Sequence, residues 1–67
     1  MKHPSKQPVF LRKGQVVEIT GLSPSTLERL IKQNRFPKPI YLHKNSRIPL
    51  WLDDVVYQWM RDLADQG

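Results

Sequence analysis

Cysteine is absent from the 67 residues, which excludes disulfides and thiolate metal sites. The two histidines, His3 and His43, lie far apart without companions of ligand type, so no metal site is expected. No apolar run is longer than three residues, whereas a helix crossing a bilayer needs roughly 20. The opening MKHPSKQP also lacks the apolar centre of a signal peptide. A cytoplasmic location with no membrane partner is therefore the expectation. There is no Gly-rich phosphate loop, and no histidine is placed to work with the carboxylates. The reading is non-enzymatic, with no catalytic residue and no cofactor. This length allows one domain, which buries only about 60% of its unfolded surface and so has a lean core.

Acidic residues are missing from a long central stretch as well. From Arg29 to Arg47 six basic residues (Arg29, Lys32, Arg35, Lys38, Lys44 and Arg47) meet no carboxylate, while Asp53, Asp54, Asp62 and Asp65 outweigh Arg61 towards the C-terminus. The net charge of +5 is thus unevenly spread, and the molecule should be electrically two-sided. A basic segment on a small domain attracts polyanions, and nucleic acid is the commonest of these.

Residues 1–8 hold two prolines and two lysines with almost nothing apolar, which predicts a flexible basic tail before a single domain over 9–67. Lys13 to Thr20 reads as a first helix, with Val16, Val17 and Ile19 inward and Gly21 ending it at φ > 0. Ser23 is placed as the N-cap of a second helix because Pro24 follows at N1, where a missing N–H costs nothing. Ser25 with Glu28 offers a rival capping box. In either register Leu27, Leu30 and Ile31 form one apolar face. Ser25, Arg29 and Lys32 then point outward, flanked by Thr26, Glu28 and Gln33. Asn34 can end this helix, and Phe36-Pro37-Lys38-Pro39 prevents it from continuing.

Ile40-Tyr41-Leu42 and Ile48-Pro49-Leu50-Trp51 bracket a polar connection and predict a hairpin, whose second strand is an edge or irregular because Pro49 lacks a donor. Asp53 and Asp54 suit the start of a third helix. Leu52, Val55, Val56, Trp59 and Leu63 would be its buried stripe, with Tyr57 and Met60 off it. Trp51 and Trp59 are read as core rather than as stacking platforms.

Helix, tight turn, helix, hairpin, helix is the layout of a winged helix-turn-helix, mainly α with a small β-hairpin. In that layout the second helix enters the major groove and the hairpin, or wing, lies along the phosphates. Small hydroxyl residues at the helix start, Ser23, Ser25 and Thr26, permit close approach to phosphate at a positive helix end. Arg29 has the reach and fork geometry to read guanine O6 and N7. Lys32 and Arg35 lie nearer the helix exit and suit phosphates, and Gln33, flanking the outward face, is counted with the recognition-helix contacts. Lys38 precedes the wing, and Lys44, Asn45, Ser46 and Arg47 form its tip.

Leu11-Arg12, Val16, Thr20-Gly21-Leu22-Ser23, Ser25-Thr26-Leu27, Phe36-Pro37-Lys38-Pro39 and Trp51 with Val55 and Trp59 occur in an order and spacing that resembles the AlpA family of prophage regulators. That family is MerR-like and related to phage excisionases. The resemblance implies a bacterial or phage-encoded, nucleoid-associated protein that binds double-stranded DNA and regulates transcription. It carries base contacts over to Ser25, Thr26 and Arg29, and wing contacts to Lys44 through Arg47. The chain departs from the family pattern at His43, where glycine is common, at Leu27, where tyrosine is common, and in a longer link containing Pro49.

A second function with the same chemistry is that of an excisionase acting with an integrase; helix and wing serve both roles, so the residues do not separate them. An integrase or RNA polymerase would be the protein partner, and a homodimer or cooperative assembly on DNA would raise the modest affinity of one small domain. A third reading, of another class, is a protein-binding adaptor or antidote that docks an acidic partner.

Overall fold

The computed structural model describes residues 8–66. The elements are β1 (Phe10–Arg12), α1 (Lys13–Thr20), α2 (Pro24–Lys32), β2 (Leu50–Leu52) and α3 (Asp53–Gln66). Apart from Pro8, the expected N-terminal tail lies outside the described residues.

The two central helices start and stop where local chemistry directs. The Arg12 amide donates to Gln15 Oε1 at 2.8 Å, which ties the first turn of α1. Gly21 closes that helix at φ 77°, its amide reaching the Val17 carbonyl at 2.9 Å. Thr20 Oγ1 donates to the Val16 carbonyl at 2.7 Å, which tightens the same turn. Three residues later α2 begins, capped by Ser23, whose Oγ accepts the Thr26 amide at 3.1 Å. The rival register beginning at Ser25 is not used. At the far end Asn34 takes φ 60°, the Arg35 amide reaches Leu30 at 2.8 Å and the Asn34 amide reaches Ile31 at 3.1 Å. That pair of bonds is a Schellman closure, and it turns the chain sharply away.

The sheet corrects the expected hairpin. β1 pairs antiparallel with β2, joining Phe10 to Leu52, Leu11 to Trp51 and Arg12 to Leu50. Ile40 meets the other edge at a single bridge, with Ile40 N to Leu50 O at 2.6 Å and Leu50 N to Ile40 O at 2.9 Å. Only one bridge thus joins the expected strands at 40–42 and 48–51, Leu50 and Trp51 of the second being part of β2, and residues 41–49 form an irregular loop closed at its base. Pro49 sits one residue ahead of β2, so its missing donor costs the ladder nothing. β2 pairs with β1 along one side and meets only the Ile40 bridge on the other, and Leu52 belongs to it rather than to α3.

Leu11, Val16, Leu27, Phe36, Trp51 and Val56 form the core, and Met60 packs against it with Trp59. The expected stripe on α3 is therefore rotated: Met60 is included, while Val55 and Leu63 are exposed. Asp53 fixes that rotation. It is 2% exposed; its Oδ1 accepts the Val9 amide at 3.2 Å and the Asp54 amide at 2.8 Å, and its own amide donates to the Val9 carbonyl at 2.9 Å. The helix start is thereby locked to the strand of the opposite terminus. Among the described residues no helix is long and apolar enough to cross a membrane.

Candidate nucleic-acid interface

The α1 to α2 turn, the outward face of α2 and the 41–49 loop are positioned by one buried joint. Both tryptophans serve it. Trp51 Nε1 donates to the Pro37 carbonyl at 2.9 Å, and Trp59 Nε1 donates to the Arg35 carbonyl at 2.9 Å. Between those carbonyls the Phe36 ring stands edge-on to both indoles, with centroids 6.2 Å and 4.7 Å away. The segment leaving α2 is therefore clamped before it enters the loop. Trp51 is buried and Trp59 half-buried, as read from the sequence.

Burying Leu27 against the core, with Leu30 and Ile31 half-buried beside it, turns the opposite side of α2 to solvent. Ser25, Arg29, Lys32 and Gln33 are exposed there. Ser23 and Thr26 meet at the tip, where Ser23 Oγ donates to Thr26 Oγ1 at 2.9 Å, so these two hydroxyls are partly engaged in capping. Arg35 follows the helix and is exposed, as is Lys38. In the loop, Lys44, Asn45 and Arg47 are exposed and Ser46 is half-buried. The Ser46 amide reaches the His43 carbonyl at 2.9 Å, and Ser46 Oγ accepts the Ile48 amide at 3.3 Å, which gives the loop tip a defined turn. Arg29, Lys32, Lys44 and Arg47 make no ion pair among the described residues.

Glu28 is the one carboxylate on α2, and it would repel phosphate if left alone. Lys13 pairs with it across the turn. This partnership joins positions 15 apart, and nothing local in the sequence announces it. The Lys13 hydrogen bond, then the charge of Lys13 and the weaker effect of Lys32, hold the Glu28 carboxyl below its usual value against slight desolvation. A depressed folded pKa contributes stability above the ordinary glutamate value and loses it as pH falls through the folded value. Thermal unfolding followed down into the acid range should therefore show a small late loss that Glu28→Gln abolishes. Equal acid sensitivity in both proteins would rule the pairing out.

Tyr41 and Pro49, at the root of the loop, line a shallow hollow with Glu28, Ile31 and Lys32 of α2 and Trp51. Loop and helix thus share one surface, and its cations outnumber its single paired carboxylate. The whole is a small helix-turn-helix protein of the winged class, three helices on a two-stranded antiparallel sheet.

Residues 9–63 match the family described as prophage CP4-57 regulatory protein (AlpA), and the chain belongs to that family. No curated protein and no solved structure matches it. The family is regulatory, and this chain is a DNA-binding regulator in that general sense.

Proposed function

We propose that the protein binds double-stranded DNA in a sequence-specific way and regulates transcription from a prophage or integrative element. The α2 face of Ser25, Thr26 and Arg29 reads the major groove, and the 41–49 loop acts as the wing on the phosphate backbone. The observation that carries this reading is the shared exposure of Ser25, Arg29 and Lys32 beside a carboxylate-free loop, with Glu28 neutralised by Lys13. Lys32, Gln33, Arg35 and Lys38 follow the backbone away from the bases, and Lys44 to Arg47 complete the contact.

Selection of bound duplexes from a random pool tests the proposal. Enrichment of one motif is the expected result; recovery of unrelated sequences would reduce the protein to a non-specific polyanion binder. The wing has its own test. Each phosphate contact contributes about 0.9 to the slope of log affinity against log salt, so Lys44→Ala with Arg47→Ala should flatten that slope by about 2. An unchanged slope would remove the wing from the phosphates.

A further inference from the structure

Lys13 opens α1, yet its side chain belongs to the outer flank of α2. It is 35% exposed and pairs with Glu28. Both line the hollow of about 230 Å³ that runs from Ile31 and Lys32 to Tyr41 and Pro49 at the root of the loop. The start of α1, the flank of α2 and the wing root therefore meet around one ammonium.

That ammonium has three N–H donors. Glu28 accepts from it, and no other protein group among the described residues takes the rest. Lys32, one turn beyond Glu28 on α2, is exposed and makes no ion pair among the described residues. The hollow thus holds two lysines and one carboxylate, and the carboxylate is already matched. What remains is one unmatched positive charge with spare donors, which suits an anion. Glu28 also restrains a long flexible side chain, so Lys13 is held in place before a ligand arrives. Gly14, next in the chain, is exposed, and a side chain built there would have open space around it, so the chain leaves the start of α1 accessible.

The position of the hollow identifies the anion. Ser25, Arg29 and Lys32 are exposed on the outward side of α2, and Glu28 lies about 100° to the side of Arg29. The wing root closes the far side of the hollow. With α2 in the major groove and the wing on the backbone, the strip between them crosses the phosphate strand at the groove edge. We propose that this hollow takes one backbone phosphate of duplex DNA, held by Lys13 and Lys32, with Glu28 orienting the Lys13 ammonium. The contact rests on the DNA-binding reading and adds to it a residue outside both α2 and the wing. Glu28 becomes a positioning residue instead of an obstacle that Lys13 cancels.

Titration of the selected and the random duplex at fixed salt tests this with variants of the full chain. Lys13→Met combined with Glu28→Gln removes one charge of each sign and leaves the net charge at +5. This double variant should bind both duplexes about three- to tenfold more weakly than the wild type, and by the same factor, because a phosphate contact carries no sequence information. Lys13→Met alone should bind more weakly again, since Glu28 is then bare beside the strand. Glu28→Gln alone keeps Lys13 and an acceptor oxygen, and should bind more tightly than the wild type. If Lys13 only neutralised Glu28, the double variant would bind like the wild type. If the pair only braced α1 on α2, Glu28→Gln would weaken binding as well. Either result overturns the proposal. Melting midpoints within a few degrees of the wild type, expected for an exposed pair, show that the variants fold. A wild type that binds neither duplex would sink the DNA-binding reading and this contact with it, whereas a binding wild type matched by the double variant would sink this contact alone.

Discussion

Trp51→Ala is expected to remove a large share of the domain's folding stability. Trp51 is 2% exposed in a core of few large side chains, and its indole N–H satisfies the Pro37 carbonyl at 2.9 Å. Removing it deletes the largest buried side chain and opens a cavity, for which losses of about 3–5 kcal/mol are typical. Domains gain only about 0.05–0.15 kcal/mol per residue, so a chain of 67 has roughly 3–10 kcal/mol to lose. In thermal melts followed by circular dichroism the midpoint should fall by at least about 12 °C, or the cooperative transition should vanish. Trp51→Phe keeps most of the apolar volume but orphans the Pro37 carbonyl, and should lie between. A Trp51→Ala protein melting within a few degrees of the wild type would refute the clamp as the centre of the fold.

The clamp also explains which features could be read from the sequence. Gly21, Ser23-Pro24 and Asn34 act within a few residues of themselves, through positive φ, a side-chain cap and a Schellman closure. The bounds of α1 and α2, and the outward side of α2 with Ser25, Arg29 and Lys32, follow from them. Strand pairing has no such local signature. Asn45 and the flanking apolar triplets favour a hairpin at 40–51 on local grounds, yet Leu50–Leu52 pairs with Phe10–Arg12, about 40 positions away. That choice lets Leu11 and Trp51 meet as partners in the core.

The same distant contact misdirects the reading of α3. Asp53 suggests a solvent-facing cap, but Val9, the residue before β1, takes both its carboxylate and its amide. The helix then begins at a fixed rotation, with Val56 and Met60 inward and Val55 outward. Leu63 lies one turn beyond Trp59, past the residues that Phe36 covers, and becomes groove instead of core. Its apolar character is legible in the sequence; its lack of a cover is not.

Within the proposed DNA interface the largest single loss should come from Arg29→Ala. Arg29 is exposed on the outward α2 face, one turn beyond Ser25, and pairs with no carboxylate among the described residues. Its guanidinium is thus available to form two parallel hydrogen bonds with a guanine edge, the pairing that carries most arginine readout. Losing such a contact costs about 1–3 kcal/mol, or roughly 5- to 150-fold in affinity for the selected sequence. Binding to random duplex should fall much less, because there Arg29 contributes only its charge. Arg29→Lys should keep most of the non-specific binding and little of the discrimination, since an ammonium lacks the planar fork. Thermal stability should hardly change, as the side chain is exposed. Titration of each variant against the selected and the random duplex at fixed salt separates the outcomes. Equal losses on both duplexes would move Arg29 from the bases to the phosphates, and unchanged affinity on both would take α2 out of the groove.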